Sequence, residues 1–358
     1  MRRFILLVIV VFYIIPSYSQ SKQKSRLDRS FKELEESARN GDALDQYWTG
    51  ICYYIGDNVE KNPELALKWF LLAEKTGVDS KQSIAYCYNS MNNYEEALKW
   101  FLLAEKNGVD SKHDIAYCYY FMNNYEEAIK WALMDEGNGN DMTYLLGRCY
   151  FERKKNDEAI RFFSLNLNQG EDKTNAMKWL GICYYQLKDY KKAIEWFEKC
   201  NSDNPNSMYY LGLCYCLLED YNKAFEWFTK AANSNEENSQ FYLGIFYCNG
   251  YGTEKNYSEG FSWLKKSYDN GVLEAAGTIG QLYYYGLGVE KDLNKAFVFM
   301  EQGSQIDDCL SGSAMRLLSS CYRYGIGTSI NQEKADYWMQ EAAKNNDNDA
   351  IELINITK

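Results

Sequence analysis

The tetrad small-x-Cys-Tyr, or a close variant of it, recurs nine times along the chain, with its tyrosine at Tyr53, Tyr88, Tyr119, Tyr150, Tyr184, Tyr215, Tyr247, Tyr283 and Tyr322. Successive copies lie 31 to 39 residues apart. Self-similarity at that period is the mark of a solenoid, in which each unit buries its apolar face only by stacking on its neighbours. A second signature, small-x-x-aromatic, follows every tetrad, as in Ala66/Trp69, Ala97/Trp100, Ala193/Trp196, Gly260/Trp263 and Ala335/Trp338. Both signatures have helical spacing. Ala193, Trp196, Phe197 and Cys200 fall at i, i+3, i+4 and i+7, one apolar stripe, and Leu180, Gly181, Cys183 and Tyr184 share one side of the preceding helix. The small residues Gly181 and Ala193 then mark where the two backbones approach. Only three prolines occur in 358 residues, so little interrupts helix formation. The expectation is an all-α fold, an α-solenoid of about nine helix-turn-helix repeats.

Two loop lengths divide the repeats. From the tetrad tyrosine to the small residue of the second helix is nine positions for Tyr88, Tyr119, Tyr150, Tyr184 and Tyr215, as in Tyr88 to Ala97 through Asn93-Tyr94-Glu95-Glu96. It is thirteen for Tyr53, Tyr247, Tyr283 and Tyr322, as in Tyr283 to Ala296 through Gly286-Leu287-Gly288-Val289. The shorter form resembles tetratricopeptide repeats. The longer, with its paired glycines and Lys295-Ala296, resembles Sel-1-like repeats. The resemblance implies a right-handed solenoid of mixed type whose first helices line an inner groove. Asp135 and Asn166 stand near the end of a second helix where a small residue belongs, and Gly260 stands for Ala. Those repeats are expected to be the weak joints.

The array is expected over 42–345. Before it, Arg2 and Arg3, the apolar run Phe4 to Ile15 and the small residues Ser17 and Ser19 read as a cleavable signal peptide over 1–19. A run of that length is short for a bilayer span, so no transmembrane segment is expected after cleavage, and the chain is expected to be secreted or periplasmic. Residues 20–41 read as a linker and an amino-terminal capping helix at Phe31 to Asn40. Residues 346–358 read as a carboxy-terminal cap or tail, carried by Ala350, Ile351, Leu353 and Ile354.

Chemistry-bearing residues are sparse. Seven of the eleven cysteines occupy the same tetrad position. Equivalent helices stack about 8 to 10 Å apart, beyond the roughly 7 Å that a disulfide spans between Cα atoms, so these read as buried free thiols. Cys183 and Cys200 are the pair that could close within one repeat. No Cys-x-x-Cys occurs, so no metal is expected, and no cofactor either. Gly250-x-Gly252, Gly286-x-Gly288 and Gly325-x-Gly327 each follow a helix, not a strand, and read as left-handed turns instead of phosphate loops. The single histidine, His113, lies off the buried stripe and is expected at the surface without a catalytic role. Fifty acidic against 39 basic side chains give a net charge of −11, which argues against nucleic acid.

The first helices carry the candidate surface. Offsets −3, +1, +4 and +5 from the tetrad's small residue cluster on one helix face, which in the resembled family faces the groove. They select Tyr54, Tyr86, Tyr117, Tyr120, Tyr144, Arg148, Phe151, Tyr185, Tyr209, Tyr284 and Arg323 as partner-binding candidates, and also place Tyr47, Ile51, Phe121, Phe241, Ile245, Tyr285 and Tyr324 there. An aromatic ladder of this kind suits a protein or peptide partner. The function expected is a non-enzymatic exported scaffold. The alternative implied by cysteine-rich Sel-1-like relatives is a cell-wall-associated protein that binds peptidoglycan or binds or hydrolyses β-lactams, although the regular cysteine pairs of those relatives are missing here.

Overall fold

A computed structural model describes residues 30–135, 139–169, 173–200, 204–304 and 312–356, and every regular element among them is an α-helix. The expected signal peptide, most of the linker after it, and Cys309 lie outside the described residues. A short helix, α1 (Phe31–Arg39), precedes nine consecutive pairs: α2 (Ala43–Ile55) with α3 (Pro63–Lys75), α4 (Lys81–Ser90) with α5 (Tyr94–Lys106), α6 (Lys112–Phe121) with α7 (Tyr125–Met134), α8 (Gly139–Glu152) with α9 (Asn156–Gln169), α10 (Lys173–Gln186) with α11 (Tyr190–Lys199), α12 (Pro205–Leu217) with α13 (Tyr221–Asn233), α14 (Glu237–Asn249) with α15 (Tyr257–Asp269), α16 (Ala275–Tyr285) with α17 (Leu293–Gly303), and α18 (Gly312–Tyr324) with α19 (Gln332–Lys344). A last helix, α20 (Asn348–Ile356), follows them. The chain is an all-helical solenoid of repeats, divided into two compact units at Phe162/Phe163, within α9. No helix among the described residues is long and apolar enough to cross a membrane.

Local chemistry sets the element ends. Asn62, Asn93, Asn124, Asp189, Asp220, Asn256, Asp292 and Asn331 cap second helices, each side chain accepting a hydrogen bond from a backbone N–H of the first turn. In the short loops one residue turns left-handed, namely Asn92, Asn123, Lys154, Lys188 or Glu219. In the long loops the glycine pairs do so, as expected: Gly250 and Gly252, Gly286 and Gly288, Gly325 and Gly327 all have φ between 63° and 76°. The second glycine of each pair has a further reason to lack a side chain. A Cβ at Gly252 would lie 2.2 Å from the Tyr221 carbonyl oxygen, and one at Gly288 2.2 Å from the Tyr257 carbonyl carbon, each at the start of the preceding repeat's second helix. Asn58 holds this place in the first long loop, where a single helix, α1, precedes the repeat.

Within a repeat the two helices meet through a notch. A Cβ on Gly181 would sit 2.6 Å from the Phe197 ring, one on Gly50 2.8 Å from Phe70, one on Gly212 2.6 Å from Phe228 and one on Gly280 2.5 Å from Met300. The backbones do approach at the small residues, since a Cβ on Gly280 would also lie 3.0 Å from the Ala296 carbonyl oxygen. The ring that fills the notch, however, is the residue after the signature aromatic. Phe70, Phe101, Phe163, Phe197 and Phe228 are almost wholly buried, whereas Trp69, Trp100, Trp196 and Trp227 are half-buried. Tryptophan leaves its outer edge wet and lets lysines lie over it, Lys230 at 4.2 Å from the Trp227 centroid and Lys199 at 4.5 Å from Trp196.

The three departures from the repeat pattern take different forms. Gly260 makes room for Cys248, whose sulfur would lie 2.4 Å from a Cβ there. Asp135 and Asn166 are buried. Asp135 stands at the C-cap of α7, which ends after ten residues where α5 runs to thirteen. Between repeats, the tetrad tyrosines reach the preceding second helix. Tyr53 donates to Glu35 at 3.2 Å, Tyr215 to Glu198 at 3.3 Å, and Tyr322 to Glu301. At the ends, Ser30 and Glu33 form a capping box on α1. In α20 Ala350 is buried and Ile354 half-buried, while Ile351 and Leu353 are exposed.

Candidate functional site

In the unit before Phe162 the first-helix face is built on α2, α4, α6 and α8. Tyr54, Tyr86, Tyr117, Tyr120, Tyr144, Arg148 and Phe151 all lie half-buried on it. Tyr86 packs edge-on against Phe101 at 5.2 Å and donates to the Asp114 carboxylate at 2.9 Å. Burial first, and then that carboxylate, hold the Tyr86 phenol well above its ordinary range. Tyr117 lies 4.9 Å from the His113 ring, and burial pushes its phenol up to about 12. The Arg148 guanidinium sits over Tyr120, 5.5 Å from its centroid, and reaches Glu152 at 3.5 Å. Tyr54 carries Lys61 at 5.8 Å.

In the unit after Phe163, Tyr185, Tyr209, Tyr284 and Arg323 are again half-buried. Tyr185 and Tyr209 join one cluster of rings. Tyr185 meets Tyr210 at 5.5 Å and Tyr190 at 5.8 Å, and Tyr209 meets Tyr242 at 6.0 Å. Burial pushes the Tyr185 phenol up to about 12. Tyr284 touches Tyr285 at 5.2 Å. Arg323 bonds Asp336 of α19 at 3.0 Å, so it is tied to its own repeat.

Two expectations about this face are corrected. Tyr47 and Ile51 are core residues, Tyr47 fully buried against Phe70 of α3 at 5.3 Å with its hydroxyl 3.0 Å from Ser83 of α4. His113 is not a free surface residue. Its ring packs on Tyr117, and its Nδ1 lies 3.9 Å from the buried Asp135 carboxylate. Offset +5 gives the most accessible rings, Phe121, Tyr285 and Tyr324 at 48%, 52% and 69% exposure. Sequence reasoning also missed offset −2. Its residues receive the preceding repeat: Asp114 and Ser83 take tyrosine hydroxyls, while Tyr210 and Tyr242 stack on Phe197 and Phe228 at 5.2 and 5.0 Å. Ring spacing in neighbouring repeats was the signal that could have found it.

Behind this face the tetrad cysteines Cys87, Cys118, Cys149, Cys183, Cys214 and Cys321 are buried free thiols, and Cys52 is a free thiol at half-burial. Cys183 and Cys200 are both free. The Cys200 thiol donates to the Thr174 carbonyl at 3.4 Å and accepts from Ser207 at 3.5 Å.

Family models match this pattern repeat by repeat. The Sel1 repeat model matches residues 43–75, 205–236, 238–272, 275–308 and 312–347, and tetratricopeptide repeat models match 78–106 and 174–207. A model of anaphase-promoting complex, cyclosome, subunit 3 matches 101–166. The match at 205–236 crosses the division by loop length, since that repeat has the short loop yet fits the Sel1 model. No curated protein matches the chain. Among solved structures, a Sel1 repeat protein from Oxalobacter formigenes is 27% identical over 59% of this chain and 86% of its own, with a TM-score of 0.49. A protective antigen of uropathogenic Escherichia coli strains, displaying an SLR fold, is 21% identical over 92% of this chain and 90% of its own, with a TM-score of 0.42. The carboxy-terminal part of a tetratricopeptide repeat protein from Cytophaga hutchinsonii is 18% identical over 63% of this chain and 95% of its own, with a TM-score of 0.48. With both repeat models matching in tandem on consecutive helix pairs, the chain belongs to the Sel1-like and tetratricopeptide repeat proteins.

Proposed function

We propose that this protein is a non-enzymatic, exported scaffold that holds a peptide or protein partner against the tyrosine-rich face of its first helices. Repeats of this kind bind proteins, and one observation carries the reading to this face: all eleven candidate side chains are half-buried. A ring anchored along one edge is pre-organised and loses little rotamer entropy when its other edge is covered, which is how tyrosine serves binding surfaces. Export rests on the apolar run Phe4 to Ile15 behind Arg2 and Arg3.

Tyr185→Ala and Tyr284→Ala should each lower partner retention by roughly tenfold, the scale of a binding hot spot, with helical circular dichroism unchanged. Quantitative mass spectrometry of proteins captured from envelope extract on parent and variants gives the comparison. Equal recovery on all three proteins would remove the face from consideration. Export is checked by cell fractionation, and recovery of the chain in the cytoplasm with residues 1–19 attached would overturn that half of the proposal.

A further inference from the structure

Residues 66–96 and 97–127 are consecutive 31-residue copies that differ at only five positions: Thr76/Asn107, Gln82/His113, Ser83/Asp114, Asn89/Tyr120 and Ser90/Phe121. The first pair ends a second helix. The other four all lie on the first helices α4 and α6, at offsets −3, −2, +4 and +5 from Ala85 and Ala116. The scaffold of the two repeats has therefore been kept while one face has been rewritten. Neutral drift would scatter differences over the more exposed outer face of α3 and α5, where Leu72 and Leu103 are 40% and 44% exposed and identical.

The rewritten residues make a built surface. Asp114, Tyr117 and Phe121 fall at i, i+3 and i+7 and share one stripe of α6. Phe121 is 48% exposed, stacks flat on Tyr94 at 4.9 Å and meets Tyr117 at 6.2 Å and Tyr120 at 5.5 Å. Two turns back along the stripe, Asp114 accepts from Tyr86 through one oxygen, and a carboxylate has acceptor sites beyond that bond. Asp110 and Asp135 add negative potential around it, and Lys112 is engaged by Asp110 at 3.1 Å and Glu105 at 3.5 Å. An acidic end and an aromatic floor, one to two helical turns apart, match a side chain with an apolar stem and a cationic head.

Building on the first-helix binding face, we propose that α6 carries the subsite that sets partner choice, and that it takes a lysine or arginine side chain of a peptide segment, the stem laid on Tyr117 and Phe121 and the cation at Asp114. Repeat two lacks this subsite because Ser83 and Ser90 offer neither charge nor ring.

The neighbouring copy supplies the control. Replacing His113→Gln, Asp114→Ser, Tyr120→Asn and Phe121→Ser together gives α6 the four residues that α4 already carries on a nearly identical repeat. A phage-displayed random dodecapeptide library is selected on the purified parent chain, and the enriched peptides are synthesised and titrated against both proteins, with thermal melts of each. Enriched peptides should share one Lys or Arg; its replacement by norleucine should weaken binding to the parent at least tenfold, and the fourfold variant should bind the unmodified peptides at least tenfold more weakly. Asp114→Ser alone should erase the difference between the basic and norleucine peptides. Peptides that bind parent and variant equally, or that share no basic residue, would overturn the subsite while leaving the binding face intact. Failure of any peptide to enrich on the parent would overturn the binding face and the subsite with it.

Discussion

Raising the pH from 8 to 10 in the presence of a reductant should unfold much of this protein. Burial pushes the thiols of Cys87, Cys118 and Cys149 in one unit, and of Cys183 and Cys214 in the other, up to about 12, and those of Cys52, Cys248 and Cys321 up to about 11. An unfolded thiol ionises near 8.5 to 9. Between that value and the folded one, the native state binds more protons than the unfolded state, so stability falls as pH rises. The stabilisation is fully present below pH 8 to 9 and is lost progressively up to pH 11 to 12. At pH 10 each buried thiol costs on the order of 1 kcal/mol. Four such thiols in each unit amount to roughly 5 kcal/mol, comparable with the whole stability of many domains. Urea midpoints by circular dichroism at pH 7, 9 and 10 should drop steeply over the last interval, and Cys118→Ala should make that drop shallower even though it lowers stability at pH 7. Midpoints that stay level through pH 10.5 would show that the cysteine column is open to solvent.

The repeat count, the pairing of helices and the turn chemistry were legible because each rests on local spacing. The thirteen-residue step from Tyr283 to Ala296 required two left-handed residues, and Gly286 and Gly288 supply them. The seven tetrad cysteines were legible as unpaired for a similar reason, since one residue per helix in a stack stands too far from its equivalent. The filling of the notch was not. Trp196 and Phe197 are adjacent, and an apolar stripe at i, i+3, i+4 and i+7 accommodates both. Which ring turns inward depends on the size of the space above Gly181, and that space takes Phe197. Nor could a single-helix projection find Asp114. Its place on the face comes from a bond to Tyr86 one repeat earlier, and offsets measured within a repeat carry no record of such a contact. Tyr47 failed for the same reason: it has the offset of a groove residue, but its hydroxyl meets Ser83 of the next repeat and its ring packs on Phe70.

The notch also makes Gly181→Leu one of the most damaging single changes expected in this protein. Glycine in a helix is ordinarily a liability, and replacing it with Ala gains up to about 1 kcal/mol. Here the Cβ alone would lie 2.6 Å from Phe197, a fully buried ring with no room to retreat. Leu adds three more carbons to that collision and should destabilise by about 3 kcal/mol or more, the upper end for overpacked cores. Phe197→Ala opens a cavity in the same place and should cost about 3 to 5 kcal/mol alone. The two together should cost less than their sum by at least about 1 kcal/mol, because leucine then occupies part of the volume that the ring vacates. Urea unfolding of the four proteins, followed by tryptophan fluorescence and circular dichroism, measures the cycle. Strict additivity would mean that Gly181 and Phe197 do not face each other, and the register assigned to every hairpin in the array would then have to shift.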